Sequence, residues 1–424
     1  MSLEQILAER FLYQSPKKPG QRQRLRPVVL ISSIGIALGV ALILLSLFVV
    51  RGFKSEIRGK ITAMAGNVRI SNPENSYNQY TIPLTVKDDL MAELLEVAQD
   101  LDPAGYVASF TQTMALLKSD STFRGVMMLG RSELRHEPKE ELYSDLAQYL
   151  LEGSLPRSGT NEVIISKALA SYLGFSLGDD FTAYFGNNEQ IRLRKYTIAG
   201  IYETGYEQYD KYMVLLGESS LKSVLGWSPE QASGLMVHLS SDQWDSELYD
   251  RAFDLLADRT ARYKERYALF TSQELNSNMY GWLDLLDANV LLIMVLMIAV
   301  VAMTIITGVI VLVLEKVPAF ATLKSLGQDN SSLKKSFRLM AGNIILRGLL
   351  LGNAIALLLA FIQKQWHLIR LDASQYFMTF VPVEIDLPIL LWTNVGVFLL
   401  VYLFVLIPTS LIATISPAST LRFE

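Results

Sequence analysis

The chain has no cysteine and only three histidines, His136, His238 and His367. That excludes a disulfide framework, and it excludes zinc or iron–sulfur sites of the usual ligand sets, which need thiolates or clustered imidazoles. Also missing are the Gly-x-x-x-x-Gly-Lys-Ser/Thr loop that cradles nucleotide phosphates, the zinc-protease helix motif and the Gly-x-Ser-x-Gly nucleophile turn. His136-Glu137 lacks the second histidine of a metal pair and reads as a surface polar pair. No enzymatic reaction, catalytic residue, metal or cofactor is therefore expected on this chain. A net charge of −4 leaves no basic footprint for DNA or RNA.

Charge is also missing locally, and there the absence is informative. Half of the 424 residues are apolar, and they collect in long uncharged runs. Val28 to Val50 carries no charge; at 1.5 Å per residue such a run covers roughly 35 Å, enough to cross a hydrocarbon layer of about 30 Å. It ends in Arg51-Gly52-Phe53-Lys54 rather than in the small residues of a cleavage site, so it reads as a retained anchor. A second span is expected over 288–314, a third over 339–363 with one interruption at Arg347, and a fourth over 387–413.

Lysine and arginine in the short flanks orient these spans. Lys17, Lys18, Arg22, Arg24 and Arg26 precede the first; Lys316, Lys324, Lys334, Lys335 and Arg338 lie between the second and third; only Lys364 and Arg370 lie in the loop 364–386. Both termini, the loop 315–338 and the tail 414–424 are expected in the cytoplasm. The first 27 residues place Leu3, Ile6, Leu7 and Phe11 on one helical face, an amphipathic helix on the inner leaflet, with a helix packed on protein as the alternative, followed by a basic linker.

Residues 51–287 then form a large domain on the outer side. Asn67 to Ser71, Asn161 to Ser166, Tyr196 to Ile201 and Gly234 to Leu239 read as strands. Asp89 to Gln99, Ser246 to Ala257 and Lys167 to Leu173 read as helices, the last closed by Gly174, with a turn at Gly178-Asp179-Asp180. The expected fold is a membrane protein of four transmembrane α-helices with an α+β, mostly β, extracytoplasmic domain between the first two. That domain is expected to hold two subdomains, the inserted one at roughly 115–220. Tyr202, Tyr206, Tyr209 and Tyr212 suggest packing at a strand edge rather than a ligand cage.

These pieces resemble a known family in order and spacing. Gly35-Ile36-Ala37-Leu38-Gly39-Val40-Ala41, then Arg51-Gly52-Phe53-Lys54-Ser55-Glu56-Ile57-Arg58, is similar to the opening of the lipoprotein-releasing ABC transporter permeases, LolC and LolE, within the MacB/FtsX-like superfamily; Arg51 stands where that family usually has asparagine. Glu162 to Ser166, Leu169-Ala170, Leu173-Gly174, Gly178-Asp179 and Ala199 to Gly205 through Tyr209-Asp210 follow it in the middle. Glu315-Lys316 and Ala321-Thr322-Leu323-Lys324-Ser325-Leu326-Gly327 resemble its coupling helix, with Pro318-Ala319 in place of the usual Arg-Glu. Gln363, Trp366, Leu368-Ile369, Leu371, Tyr376 and Val381-Pro382-Val383 resemble the loop that sets the lipoprotein-releasing branch apart, and Pro408 to Glu424 resembles the closing motif.

The resemblance implies a multi-pass inner-membrane permease without ATPase motifs, working with a cytoplasmic ABC ATPase subunit that carries ATP and Mg, and with a second permease copy or sister permease. It implies extraction of a lipoprotein from the outer leaflet and its transfer to a periplasmic lipoprotein carrier. A MacB-like efflux permease, an FtsX-like mechanotransmitting permease and a non-transporting sensor or scaffold are the alternatives. Glu315, Lys316, Leu323, Lys324, Leu326 and Gly327 would couple to the ATPase, Leu323 and Leu326 as apolar anchors. Phe48, Val49 and Phe53 are candidates for acyl-chain contact, with lipid-facing or helix-packing roles as the plain alternative. Gly35, Gly39, Gly348 and Gly352 are expected at helix packing faces, and Arg347 is expected to reach the cytoplasmic interface or a carboxylate such as Glu315.

Overall fold

The structure is a computed structural model that describes residue 12 and residues 27–76, 81–119, 122–134, 142–187, 190–239, 246–261, 267–325, 327–372 and 376–410. The proposed amphipathic helix at the N-terminus, His136-Glu137, Leu326 and the closing motif beyond residue 410 lie outside the described residues.

Among the described residues four helices are long and apolar enough to cross a membrane, Pro27–Ala65, Ser277–Glu315, Asn330–Trp366 and Leu387–Leu406, the last within the helix Leu387–Ser410. The chain divides into two compact units, one helical (through Phe53, Trp282–Ile369 and from Val381) and one built on sheet (Lys54–Gly281 with Arg370–Phe380).

In the helical unit the core is Ile36, Val40, Ile43, Leu44 and Phe48 from the first helix, Val301, Ile305 and Val309 from the second, Phe337, Ile344 and Ile345 from the third, and Val397, Val401 and Val405 from the fourth. Small residues allow the close approach. A methyl group on Gly35 would stand 2.7 Å from Thr304 Cγ2, and one on Gly39 would stand 2.2 Å from Val301 Cγ2, both in the second helix. Gly348 and Gly352 of the third helix face the first, where added methyl groups would lie 2.5 Å from Ile36 Cγ2 and 2.7 Å from the Ala37 carbonyl oxygen. With lipid as the competing solvent, such packing takes the place of the hydrophobic effect. The third and fourth helices add a reciprocal amide pair: Asn353 Nδ2 donates to Asn394 Oδ1 at 2.7 Å, and Asn394 Nδ2 donates back at 2.9 Å. Arg347 is half-buried.

The sheet unit holds strands β1 (Val68–Ser71), β2 (Leu84–Thr85), β3 (Tyr106–Lys118), β4 (Phe123–Leu134), β5 (Leu150–Gly153), β6 (Glu162–Ser166), β7 (Asp180–Asn187), β8 (Gln190–Tyr202), β9 (Met213–Gly217), β10 (Gln231–Ala232), β11 (Gly234–His238) and β12 (Ala268–Thr271). One ten-stranded sheet runs β12-β1-β11-β3-β4-β9-β6-β8-β5, with β7 paired to β3 and β8; β10 and β2 form a small second sheet. The β4/β9 and β6/β8 pairs are parallel. Buried on both faces, β6 is apolar without alternation through Val163, Ile164 and Ile165.

Ser166 ends β6 and caps the helix Lys167–Leu173 by accepting from the Leu169 amide, and Gly174, at φ 72°, closes that helix. The amphipathic helix Asp88–Leu101 buries Leu90, Met91, Leu94, Val97 and Ala98 over β1 and β11. A second cluster gathers Val126, Met128, Val163, Ile165, Phe181, Tyr196 and Leu221 further along the sheet, and a third gathers Ala63, Met64, Tyr143, Tyr202 and Met236. β3 passes through residue 115 without a break and pairs with β4 from Val107 to Lys118.

Glu218 opens the helix Glu218–Leu225 with its carboxylate buried among Ser109 Oγ at 2.5 Å, Thr111 Oγ1 at 2.8 Å and Lys222 Nζ at 3.1 Å. Burial outweighs these partners and raises its pKa above the ordinary glutamate value. The folded chain thus holds this proton more tightly than the unfolded chain. Its contribution to stability is fullest in acid and is lost as pH rises from the ordinary glutamate value through the raised one. The melting temperature of Glu218→Gln relative to wild type is expected to climb across that window, and a difference independent of pH would refute the assignment.

Candidate coupling and substrate-facing sites

Val317–Ser325 is a separate helix between the second and third membrane helices. Pro318 stands in its first turn, where a backbone amide would have no partner within the helix, so the missing N–H costs no hydrogen bond. The helix ends in a Schellman-type motif: Gly327, at φ 89°, donates to the Lys324 carbonyl at 3.0 Å, and Gln328 donates to the Leu323 carbonyl at 3.0 Å. Asp329 then caps the third membrane helix by accepting from the Ser331 amide. Two caps within a few residues fix the direction of the chain on both sides of Gly327.

Leu323, expected from the resemblance to sit in a partner's groove, has a half-buried side chain that packs against the core of its own bundle. Among the positions of this helix whose burial is described, Ala319, Thr322 and Ser325 are exposed, three apart and so on one face. Glu315 ends the second membrane helix and Lys316 follows it, their charged groups 3.8 Å apart and Lys316 the less exposed.

At the other end of the first span, Phe48 is fully buried in the bundle, whereas Val49 and Phe53 stay partly exposed. The loop after the third span seats here. The Glu384 amide donates to the Phe48 carbonyl at 3.1 Å, and a methyl group on Gly52 would stand 2.7 Å from the Pro382 carbonyl carbon. Arg51 bridges Glu384 at 3.3 Å and Asp386 at 2.7 Å. Two sequence motifs far apart in the chain, Arg51-Gly52-Phe53 and Val381-Pro382-Val383, are thus one structure. At about a third exposed, the Arg51 pairs contribute orientation more than stability.

Comparison with known proteins covers nearly the whole chain. Residues 29–251 match the MacB-like periplasmic core domain, and residues 290–417 match the FtsX-like permease C-terminal domain. The lipoprotein-releasing system transmembrane protein LolC of Xylella fastidiosa is 23% identical over 93% of both chains. LolC of Neisseria meningitidis is 24% identical over 94% of both. LolE of Haemophilus influenzae is 24% identical over 92% of this chain and 90% of its own. The chain belongs to the LolC/LolE family of MacB/FtsX-like permeases. It is therefore an ABC transporter permease.

In this LolC/LolE-family permease the sheet unit holds a buried charged cluster that no motif announces. Arg131 of β4 is fully buried. Its Nη1 donates to the carbonyl of Ala63, in the last turn of the first helix, at 3.0 Å, and its Nη2 meets the Tyr106 hydroxyl. Glu133 lies 3.3 Å and Asp145 3.7 Å from it, and the Tyr143 ring lies 4.6 Å away. Burial opposes the charge on Arg131, but Tyr106, Glu133 and Asp145 together outweigh it and hold the guanidinium protonated. Tyr106 stacks on His238, ring centroids 4.5 Å apart, and burial raises its pKa well above the usual phenol range. The available signal was a lone arginine directly after the apolar run Val126 to Gly130. Among the described residues no group of acidic or imidazole side chains could hold a metal ion. The four tyrosines divide: Tyr202 and Tyr206 are buried, Tyr209 bonds Asn276 at 3.2 Å, and Tyr212 is exposed beside Arg124.

Proposed function

We propose that this chain is the permease subunit that lifts lipoproteins out of the outer leaflet of the inner membrane and hands them to a periplasmic carrier, driven by a separate cytoplasmic ATPase. The observation that carries this reading is the collinear match, over more than nine-tenths of both chains, to relatives named for lipoprotein release. Both termini and the helix Val317–Ser325 lie on the cytoplasmic side, the sheet unit on the periplasmic side. A second copy or a sister permease completes the complex.

Burying a lipid chain is worth about 0.8 kcal/mol per CH₂, so removing a multiply acylated protein from a bilayer opposes on the order of tens of kcal/mol unless the chains stay shielded. Shielding needs an apolar wall. The first helix leaves Leu30, Ile31, Ile34, Leu38 and Leu42 exposed in the single chain, a stripe at helical spacing, and the second leaves Leu292, Val295, Leu296 and Met303. We assign acyl-chain contact to these faces together with Val49 and Phe53, and ATPase docking to the outward face of Val317–Ser325 with Glu315, Lys316 and Lys324 at its rim.

Reconstituted with its ATPase and second permease, the chain is expected to release a triacylated lipoprotein from proteoliposomes to a water-soluble carrier only when ATP is supplied. ATP hydrolysis without release would refute the reading. Co-purification with a cell-wall hydrolase or an outer-membrane channel in place of a carrier would turn it toward the FtsX-like or MacB-like alternative.

A further inference from the structure

Phe377, in the loop after the third span, has φ at 60°, a left-handed conformation that a bulky side chain keeps only where its surroundings hold it. Three groups do so. Lys60, on the first helix, donates from Nζ to the Phe377 carbonyl at 2.8 Å. Gly205, itself at φ 74°, lies so close that a methyl group there would stand 2.9 Å from the same carbonyl oxygen. The Tyr206 ring meets the Phe377 ring edge-on at 5.7 Å.

Both sides of this contact are built in advance. The loop closes on itself through the Leu371 amide and the Thr379 carbonyl at 2.9 Å and an antiparallel bridge between Arg370 and Phe380, and Met378 is buried beside Phe377. The turn at 204–206 is organised by the Asp210 carboxylate, which accepts from Thr204 Oγ1 at 2.7 Å and from the Gly205 amide at 2.8 Å, while Ser166 Oγ donates to the Asp210 carbonyl. Lys60 occupies the buried face with Ile57, Ile61 and Met64 and is only 5% exposed. A lysine is kept there at a desolvation cost, which lowers its pKa, and Glu56 at 3.5 Å offsets part of it. Its second partner is the Phe377 carbonyl.

We infer that Lys60, Gly205 and Tyr206 are positioning residues: they form a socket that seats Phe377 and so ties the loop after the third span to the extension of the first helix and to the turn at 204–210. The transport consequence rests on the permease reading above. A loop held by the first helix moves with it, so loss of the socket separates ATP hydrolysis from lipoprotein release.

Two measurements on the full chain test this. In detergent, Lys60→Met and Phe377→Ala are each expected to lower the melting temperature, and the double variant is expected to melt no lower than the worse single one; additive losses would overturn the socket, whatever transport does. In the proteoliposome assay each single variant is expected to keep ATPase activity within about twofold of wild type while release falls at least about tenfold, and Gly205→Ala is expected to do the same. Release at the wild-type rate, or ATPase and release falling in parallel, would overturn the positioning role. Should Phe377→Ala not fold, Phe377→Leu takes its place in both measurements. A wild-type complex that never releases lipoprotein would overturn the proposed function and leave the melting cycle standing.

Discussion

Replacing Arg131 by methionine is expected to destabilise the sheet unit by about 3–5 kcal/mol, the cost typical of removing one partner from a buried ion pair. Methionine fills much of the volume but takes from Glu133, whose side chain is 3% exposed, the guanidinium 3.3 Å away, and leaves the Ala63 carbonyl without the donor that ends the first helix. That carbonyl sits at the negative end of the helix dipole, where a cation is favoured. Thermal unfolding followed by near-ultraviolet circular dichroism checks the value. A double replacement, Arg131→Met with Glu133→Leu, should recover part of the loss, because it also removes the buried carboxylate that loses this ion pair. A loss under about 1 kcal/mol for the single variant would show that Asp145, Tyr106 and His238 rearrange to satisfy one another, and that the arginine does not hold the helix end.

Replacing Thr322 by tryptophan is expected to reduce ATPase retention on the purified permease at least about tenfold while leaving the bundle folded. Thr322 lies on the exposed face of Val317–Ser325 with Ala319 and Ser325, so a bulky indole there meets a partner but not the chain's own core. Leu323→Asp makes the contrast. Its side chain packs inward, so it should lower the melting temperature as well as ATPase retention. If the two variants behave alike, the outward face is not the docking face.

Much of this architecture was legible in the residues, and the limits have physical causes. Uncharged runs disclose the spans because lipid penalises charge along the whole helix. β6 and the helix after it were readable because strand, Ser166 cap and Gly174 stop are consecutive and each acts locally. The first helix continues past the uncharged run to Ala65 because Ile57, Ile61 and Met64 prolong its buried face, a pattern that the charges from Arg51 onward obscure.

Direction of side chains was less legible. Phe48 and Leu323 both look available in a row of apolar residues, but only the placement of neighbouring helices decides that they face inward. Lys60 and Phe377 are 317 positions apart, and no local spacing announces their contact. The four residues between β3 and β4 make that pair a local hairpin, but no local rule places β11 and β7 beside β3 or β9 beside β4.

Transport of the proposed kind requires the helix Val317–Ser325 and the sheet unit to lie on opposite sides of one membrane. The absence of cysteine makes the test clean, since any thiol introduced is the only one present. Ser325→Cys and Lys195→Cys, both at exposed positions, would each be treated with a membrane-impermeant maleimide in right-side-out vesicles and in inverted ones. The thiol at position 195 is expected to react only in right-side-out vesicles and the thiol at position 325 only in inverted ones; reaction of both in the same preparation would refute the proposed transport.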